Sequence, residues 1–598
     1  MFKKPSIFSL LLIRISFLGA SLFAQGESEL EPMVVIETRS PVPLSEASPW
    51  VTRISQEDLE SRQIYNLSDA LRSVSGMAIS RTGQLGSQTS LFSRGGESNH
   101  VTLLYEGRRL NGGFSGTYNL GELSTLGSSS VETLKGSSSL NGANAMGGTV
   151  HLRNELLLAD GYDSNIGFSF GSFDTLISNY NTRFKDGNWA GNFSFSSLDT
   201  ANDRPHSKFE SLSSSFLIEN QLTDGLTVNF LGLGYDNYLG TNFNKNFAVS
   251  PNNYQETVHF LLSPQVEFKT DAWDASVHYS YSEDELNYTP SWNMLYWTEQ
   301  ENVDFFSNYI LSDRSSFQFG LGYTTSRFFR EGNFLNSWEQ SFASLGFQYG
   351  ITKDTELNGN VRFGDYSDFE SSETYDLKVS KSISGNLGVY GKFSTGFTPP
   401  GALDLYSYGM GYPGNPNLIA EESKSFEIGF SRKDQTLRHA LKMSLFFTEY
   451  KNLIDAPWGV QPQNIRKSES FGIEVSSQNQ VSERVSLISS FTYVRSKDLD
   501  NKKDFLSRRP EFFGSVAAEY KINEIGLGTQ MNFKNNTKEN ETTAMEDYVT
   551  FRLFGNYQIS DDLIFNARIE NLFDEEYEEV IGYPALGRAL NAGLTYNF

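Results

Sequence analysis

Residues 273–281 read Trp-Asp-Ala-Ser-Val-His-Tyr-Ser-Tyr and follow the short polar turn Lys269-Thr270-Asp271 after one residue, Ala272. Apolar and polar side chains alternate along this stretch, and a period of two indicates a strand with one apolar and one polar face. The same alternation recurs from about residue 163 to the C-terminus, for instance at 189–195, 563–569 and 592–598. The body of the chain is therefore predicted to be all-β.

Short polar turns divide this region at 185–188, 223–225, 269–271, 312–314, 352–354, 382–385, 433–435, 482–484, 522–524 and 560–562. The interval between successive turns holds two strands of about ten residues and one longer loop. Ten turns on one side separate eleven hairpins, which predicts 22 strands with both termini on the short-turn side. A barrel of 22 strands is typical of plugged outer-membrane transporters, whereas 16 to 18 strands leave an aqueous channel.

The alternate positions of these strands are dominated by Phe, Tyr, Trp and Leu, as a lipid-facing band with aromatic girdles requires. Closing the sheet gives every backbone amide a partner in lipid and removes unpaired edges. We therefore expect residues 152–598 to form a 22-stranded antiparallel transmembrane β-barrel. A soluble β-sandwich or propeller is the alternative.

Composition excludes several classes of protein. The 598 residues carry 48 Lys and Arg against 72 Asp and Glu, a net charge of −24, which argues against a nucleic-acid binder. The mean hydropathy is −0.39, and no apolar run of about 18 residues follows the N-terminus, which argues against a helical membrane protein. The absence of cysteine excludes a disulfide scaffold, thiol catalysis and Cys-ligated zinc.

The N-terminus has the pattern of an export signal. Lys3 and Lys4 precede an apolar stretch from Ile7 to Phe23, and Ala24 supplies a small residue for cleavage. We expect residues 1–24 to be a signal peptide and residues 25–40 to be a periplasmic segment. An uncleaved membrane anchor is the alternative.

Residues 41–151 lack the ten-residue alternation and are rich in glycine. Short helices are predicted at Gln56–Arg62 and Leu67–Val74, with Ser55 and Asn66 as N-caps, and a buried strand is predicted at Val101–Tyr105. A compact, loop-rich domain of this kind is better suited to fill a wide barrel lumen than to form part of the barrel wall.

Several short motifs follow in a fixed order along the chain. They are Phe92-Ser93-Arg94-Gly95-Gly96, Val101 to Gly107, Leu134-Lys135-Gly136, Gly142 to Val150, Gly396 to Pro400, Asn571 to Asp574 and the terminal Tyr596-Asn597-Phe598. Together they resemble the plug and barrel of TonB-dependent outer-membrane receptors. The resemblance implies a monomer in the outer membrane of a Gram-negative-type bacterium that takes up a scarce, large ligand. It also implies an inner-membrane energy-coupling partner of the TonB type.

The segment Glu31-Pro32-Met33-Val34-Val35-Ile36-Glu37 resembles the TonB box of that family. An extended, β-branched segment can pair edge-on with a partner's sheet, and Pro32 keeps it extended. The alternative is that Met33 to Ile36 is simply the first plug strand.

Within the family, the chain most resembles cobalamin receptors. Segments 83–87 and 109–116 resemble the two apical plug loops that touch cobalamin, which implies ligand contacts by Gln84, Leu85, Phe114 and Ser115. Barrel segments 200–203, 234–237 and 279–284 and the tail 582–588 resemble those receptors as well.

In cobalamin receptors, aspartates of the early extracellular loops bind calcium, which makes Asp199, Asp203 and Asp236 candidate Ca²⁺ ligands. Hard oxygen ligands suit calcium, but such a site needs six to eight of them. The alternative is that these are solvated loop acids.

Aromatic residues of the predicted extracellular loops are candidates for contacts with a large, partly apolar ligand. They are Trp292, Tyr296, Trp297, Tyr406 and Tyr408. A membrane girdle is the alternative, because aromatic belts occur at the same height in any such barrel.

Nothing in the sequence indicates an enzyme. The six histidines show no metal-ligand spacing, and phosphate-loop, nucleophile-elbow and zinc motifs are missing. We expect no required cofactor, with Ca²⁺ the one ion that the resemblance suggests. The predicted function is energised uptake of cobalamin or a related corrinoid, with a ferric siderophore as the close alternative. A passive porin and a surface ligand-binding protein are the alternatives of another class.

Overall fold

The structure is a computed structural model. It describes residues 33–598 except 37–38, 40–41, 45–47, 49, 111–112, 129, 242–244, 247–251, 290–293, 385, 407–412, 434–437 and 456–459. The predicted signal peptide therefore lies outside the described residues, as does most of the predicted periplasmic segment 25–40.

The first part of the described chain is a small globular plug. Its strands are β1 Met33–Val34, β2 Val42–Pro43, β3 Val51–Ser55, β4 Met77–Arg81, β5 Thr89–Ser93, β6 Val101–Tyr105, β7 Arg108–Arg109, β8 Ser130–Lys135 and β9 Gly148–Arg153. Its α-helices are α1 Gln56–Ser61 and α2 Leu67–Leu71, and 3₁₀ turns lie at Ser98–His100 and Leu120–Glu122. The central sheet has the order β3-β8-β9-β6-β7, while β1 pairs with β2 and β4 pairs with β5.

The predicted local structure of the plug is confirmed. Ser55 caps α1 by accepting a hydrogen bond from the Asp58 amide at 3.1 Å, and Asn66 caps α2 through the Ser68 amide at 2.9 Å. The helices end one and three residues earlier than predicted, and β6 has the predicted bounds. Strand β9 extends the plug sheet two residues past the predicted boundary at 151.

The rest of the chain is a closed barrel of 22 strands, as predicted. The strands are β10 Gly161–Gly171, β11 Thr175–Asp186, β12 Trp189–Thr200, β13 Phe209–Thr223, β14 Leu226–Gly240, β15 Tyr254–Lys269, β16 Trp273–Tyr288, β17 Met294–Ser312, β18 Ser315–Arg330, β19 Asn333–Thr352, β20 Thr355–Tyr366, β21 Ser372–Ser384, β22 Leu387–Thr398, β23 Glu421–Lys433, β24 His439–Asp455, β25 Gln463–Ser482, β26 Val485–Asp498, β27 Phe512–Ile522, β28 Ile525–Asn535, β29 Tyr548–Gln558, β30 Leu563–Glu570 and β33 Ala589–Asn597. Two further strands, β31 Glu578–Val580 and β32 Tyr583–Pro584, and the helix α3 Ala402–Leu405 lie in loops.

All neighbouring barrel strands are antiparallel, and β10 pairs with β33 to close the wall, for instance through Phe168 and Leu594. Each of the ten predicted turns falls at the junction of two consecutive strands, although residues 385, 434 and 435 of two of these turns lie outside the described part of the chain. Short turns are periplasmic in such barrels and the longer loops are extracellular. This orientation places both ends of the barrel at the periplasm.

The alternation that predicted the wall separates its two faces. On β21, Tyr375, Leu377 and Val379 point outward and are 41% to 46% exposed, whereas Asp376 and Lys378 face the lumen and are buried. The outer face is therefore suited to lipid, and the inner face is polar. Within the described residues, none of the helices is long and apolar enough to cross a membrane.

One sector of the inner wall is apolar instead. Leu217 on β13, Leu231 and Leu233 on β14 and Leu261 on β15 are buried and join the hydrophobic core of the plug. Burial of apolar area is non-directional. This sector therefore stabilises the plug inside the barrel, but it does not determine which charged groups of the plug and the wall pair with each other. The plug core and part of the barrel wall are thus one continuous hydrophobic core.

The outward position of Leu377 makes a testable prediction about the wall. We expect Leu377→Arg to lower the free energy of unfolding by about 2–4 kcal/mol, because a charge would face the hydrocarbon core. Urea unfolding in phospholipid vesicles, followed by tryptophan fluorescence, measures this. Ser380→Arg is the matched control on the same strand, since Ser380 faces the lumen and the change should have little effect. Equal losses in the two variants would contradict the assignment of faces.

Candidate functional site

The predicted coupling segment is folded into the plug. Strand β1 pairs with β2, with Met33 opposite Pro43 and Val34 opposite Val42. Val34 and Ile36 are buried in a cluster with Trp50, Leu134 and Tyr390. Met33 and Val34 of the segment therefore form a two-residue strand, which Val35 and Ile36 follow, and the role of the segment as a TonB box stays a prediction. Glu31, Pro32 and Glu37 lie outside the described residues.

A buried carboxylate holds this segment in place. Glu132 on β8 accepts hydrogen bonds at Oε2 from the amides of Val35 at 3.2 Å and Ile36 at 3.0 Å. Its neighbours are His151, with Nδ1 3.6 Å from Oε2, and Arg153, with Nη1 3.5 Å from Oε1. Burial raises the pKa of Glu132, but His151, Arg153 and the backbone donor outweigh it and hold that pKa below its ordinary value. The carboxylate is therefore charged and forms a clamp on the backbone of the coupling segment.

Two of the plug motifs meet at one pair of wall glutamates. Arg94 donates to Glu427 on β23 and to Glu474 on β25, with Nη1–Oε2 and Nε–Oε1 distances of 2.7 Å. Lys135 Nζ lies 3.0 Å from Glu474 Oε2. All four side chains are at most 5% exposed. A dry, hydrogen-bonded ion pair of this kind is strongly destabilised when one partner is lost, so these contacts fix the orientation of the plug.

The last extracellular loop is bound to the plug in a similar way. Arg72 forms a bidentate pair with the buried Glu579, with distances of 2.8 and 2.9 Å. Tyr548 also donates to this carboxylate, and the Arg81 amide donates to it at 2.8 Å. Sequence reasoning missed Glu579. The family resemblance of the following segment, 582–588, was the one sign that this loop matters.

The same loop covers the first predicted apical segment. Gln84 is fully buried and donates from Nε2 to the Pro584 carbonyl at 2.9 Å. Leu85 packs in a cluster with Phe209, Leu239 and Tyr583. The structure thus places both residues at the interface between plug and loops, beneath the last loop.

The second predicted apical segment contributes to an aromatic cluster, which we call the apical cluster. Phe114 is buried against Tyr296 and Phe328, with ring centroids 4.6 and 6.2 Å apart. Tyr406 packs against the same group, and the Leu403 amide of α3 donates to the Phe114 carbonyl at 3.0 Å. Ser115 Oγ bonds within its own turn, to Thr117. The structure therefore brings Phe114, Tyr296 and Tyr406 together, as a packed cluster.

Trp297 is separated from this cluster. Neighbouring residues on a strand point to opposite faces, so Tyr296 faces the lumen while Trp297 faces outward and stacks on Phe329 at 4.8 Å. Trp297 therefore faces outward, as a residue of an aromatic membrane girdle does. Trp292 and Tyr408 lie outside the described residues.

The three candidate calcium ligands are not brought together. Asp199 and Asp236 occupy outward-facing positions on β12 and β14, and Asp199 lies 3.3 Å from Lys208 Nζ. Asp203 lies in the loop after β12, where Oδ2 accepts from the Gly587 amide at 2.9 Å. In the described part of the chain, no group of three or more His, Asp or Glu side chains could hold a metal ion. The trio does not fit the oxygen cage that calcium needs, so calcium binding by it stays a prediction without geometric support.

A polar cluster lies on β14 to β16, in part within the segments 234–237 and 279–284 that the resemblance to cobalamin receptors pointed to. Tyr235, His259 and Asp284 are cross-strand partners on β14, β15 and β16, and His259 Nδ1 is 3.3 Å from Asp284 Oδ2. The plug adds Tyr118, which hydrogen-bonds to Tyr235, and Glu122, which accepts from Gln255 at 2.9 Å and Thr257 at 3.1 Å. Burial, together with the charge of Asp284, raises the pKa of Glu122 to about 7.

Comparison with known proteins gives a consistent family. Residues 86–572 match the family model described as TonB dependent receptor-like, beta-barrel. The chain is similar to the vitamin B12 transporter BtuB of Vibrio vulnificus, at 23% identity over 96% of this chain and 97% of the relative. It is similar to the protein of the same name from Photobacterium profundum, at 22% identity over 97% of this chain and 98% of the relative.

Solved structures share the fold. The siderophore receptor PiuA from Acinetobacter baumannii has a TM-score of 0.79 at 15% identity, over 93% of this chain and 98% of that one. The ferripyoverdine receptor of Pseudomonas aeruginosa, bound to ferripyoverdine, has a TM-score of 0.78 at 15% identity, over 95% of this chain and 89% of that one. At this identity the likeness concerns the fold alone.

The Glu132 clamp predicts how exposure of the coupling segment is controlled. We expect Glu132→Gln to release the segment, because two hydrogen bonds to a charged acceptor become weaker neutral ones. The chain has no cysteine, so a single Val34→Cys label reports exposure through its rate of maleimide modification. A loss of about 1.4 kcal/mol corresponds to a rate increase of about tenfold. Glu155→Gln, at the half-exposed partner of Arg53, is the control, and an equal rate in both backgrounds would contradict the clamp.

The raised pKa of Glu122 predicts a pH dependence. A carboxyl group with a raised folded-state pKa contributes stability that is present below its unfolded pKa and is lost as pH rises through about 7. We therefore expect the free energy of unfolding of the wild type to fall between pH 4.5 and pH 8. In the Glu122→Gln variant, whose side chain stays neutral, this fall should be smaller by up to about 3 kcal/mol. Thermal unfolding of both proteins in detergent across this range measures the difference. Parallel pH profiles would show that Glu122 does not titrate in this range.

Proposed function

Because this chain belongs to the TonB-dependent receptor family and lies in the outer membrane of a Gram-negative-type bacterium, we propose that it transports cobalamin or a related corrinoid with energy supplied by a TonB-type protein. The ligand assignment is supported by similarity to vitamin B12 transporters over nearly the full length of both chains. The observation that carries the transport assignment is the coupling segment, which is held by Glu132 inside a plug that fills a 22-stranded barrel.

Ligand capture begins at the extracellular end of the lumen. The aromatic rings of the apical cluster are packed against one another, and once separated they would offer the apolar faces of a macrocyclic ligand a matching surface. Its members come from the plug loop, the wall and α3, so a ligand that inserts among them separates plug from barrel at this point. Gln84 and Leu85 become accessible when the last loop moves off the plug.

Energy coupling begins at the opposite end. When the backbone of Val35 and Ile36 leaves Glu132, their amides are free to pair with a strand of the coupling protein. Strand pairing resists a pull along the chain, and the pull acts on the plug through the residues that follow the segment. A passive porin has no use for such a segment, and its lumen would be open.

A ferric siderophore is the second candidate ligand. The solved structures with this fold include siderophore receptors, although at 15% identity they share the fold alone. Equilibrium binding to the purified, refolded protein separates the candidates. We expect saturable binding of cyanocobalamin at nanomolar concentration and no competition by ferric siderophores; the reverse pattern would transfer the assignment to siderophores.

The coupling step has its own test. Val35→Pro removes the amide that Glu132 holds and blocks strand pairing with a partner, so we expect cyanocobalamin binding to persist while energy-dependent uptake by cells is lost. Val35→Ala keeps the amide and is the matched control, with uptake close to wild type. Uptake by the proline variant at the wild-type rate would contradict coupling through this segment.

A further inference from the structure

Arginines at the plug–wall interface fall into two groups. Most lie within ion-pair distance of a carboxylate: Arg53, Arg62, Arg72, Arg81, Arg94, Arg153, Arg552 and Arg568. Arg39, Arg108, Arg109 and Arg362 do not, as far as the described residues extend. Two polar side chains hold Arg108. In a chain with a net charge of −24, the remaining three cations, Arg39, Arg109 and Arg362, need a physical explanation.

These three side chains converge on one sector, between the plug and strands β17 to β20. The guanidinium carbon of Arg362 lies 3.4 Å from the centroid of the Phe342 ring, and that of Arg39 lies 3.8 Å from the centroid of Phe306. The two ring centroids are 6.2 Å apart, so each cation lies over one ring of a neighbouring aromatic pair.

The plug turn at 142–144 brings in the third cation. Arg109 donates to the carbonyl of Ala143 and, at 3.1 Å, to Asn144 Oδ1. Arg362 packs against the same turn, because a Cβ placed on Gly142 would lie 3.0 Å from its guanidinium carbon. Gly142 also has a φ of +83°, a backbone conformation that favours glycine.

Each of these arginines has a buried N–H group that finds no acceptor among the described residues. The atoms are Arg39 Nε, Arg109 Nε and Arg362 Nη1, and Arg362 is 7% exposed. Such groups also occur on Arg53, Arg81, Arg552 and Arg568, but each of those cations lies within ion-pair distance of a carboxylate. Arg108, the neighbouring unpaired arginine, differs because Ser263 and Asn229 accept from its Nε and Nη2. A buried N–H group of a cation is costly when it has no acceptor, and a planar guanidinium is well suited to bind the oxygens of phosphate or carboxylate.

The local charges favour an anion. The acid that faces the group is Asp304 on β17, whose Oδ2 accepts from Asn302 at 3.0 Å and lies 3.5 Å from His278 Nε2. One carboxylate therefore balances three cations, with Tyr366 as the neighbouring phenol. Burial lowers the pKa of Arg39 to about 10, against the pull of Asp304 and together with the repulsion of Arg109. The guanidinium is still protonated at neutral pH, so the positive charge persists.

We propose that Arg39, Arg109 and Arg362 form a lumenal binding site for a phosphate-type oxyanion. The oxyanion is either free inorganic phosphate or a phosphodiester group of a ligand on its way past the plug. The site lies beside the turn 142–144, apart from the apical cluster. Binding of an anion at this site does not depend on the proposed transport function. Only the use of the site by a transported ligand rests on that function.

Binding of inorganic phosphate to the full-length protein in detergent, followed by ³¹P NMR line broadening at low salt, tests the site. We expect saturable binding that weakens at least tenfold in Arg362→Gln and in Arg109→Gln. Arg183→Gln is the matched control, since Arg183 pairs with Asp163 elsewhere on the wall, and it should bind as wild type does. Absence of saturable binding in the wild type, or equal binding by Arg362→Gln and the control, would overturn the proposal.

A gain of binding guards against variants that merely misfold. Asp304→Asn removes the one nearby negative charge and should tighten phosphate binding several-fold, and unchanged or weaker binding would count against the site. Dimethyl phosphate as a second probe identifies the source, because a phosphodiester site binds both probes and a free-phosphate site binds only inorganic phosphate. If cyanocobalamin failed to bind, the proposed ligand assignment would be wrong, but the phosphate-binding measurements would still test the anion site.

Discussion

The structure depends on the pairing of β10 with β33, which closes the wall. In a bilayer each unpaired peptide group costs several kcal/mol, so a sheet of this size is stable only without edges. Closure also fixes which side chains face lipid and which face the lumen, since a shift by one residue would exchange the two faces. A barrel of 22 strands encloses more space than its own side chains fill, and the plug and its contacts follow from that.

The plug contacts different parts of the barrel wall through different kinds of interaction. Leucines of β13 to β15 form an apolar contact that tolerates small shifts, whereas Arg94 with Glu427 and Glu474 forms a directional, dry contact on β23 and β25. Strand β8 joins the second contact to the coupling segment, because Glu132 clamps that segment and Lys135, three residues on, binds Glu474. A pull that frees Val35 and Ile36 therefore acts on the strand that also fixes the plug to the wall.

Local and periodic features were predictable from the sequence. The ten turns, the 22 strands, both helix caps and β6 depend on residues close together in the chain, and all are confirmed. The lumenal contacts were not predictable, because they join distant residues. Arg72 and Glu579 are 507 positions apart, and Glu132 lies 96 positions from Ile36. Tyr296 and Trp297 were predicted together as ligand contacts because they lie close together in one predicted loop. Adjacent strand residues face opposite sides of a sheet, so the alternation could have shown that only one of the two faces the lumen.

The plug residues from Arg109 to Glu122 link three parts of the interior. Arg109 belongs to the cationic group beside β17 to β20, Phe114 to the apical cluster, and Tyr118 and Glu122 to the polar cluster on β14 to β16. A ligand that displaces Phe114 therefore acts on a segment whose two ends are held by buried polar contacts. Such contacts have few intermediate states, because a hydrogen bond that is lost in a dry interior must be replaced. We therefore expect that displacement of Phe114 by a ligand would rearrange this segment as a unit rather than gradually.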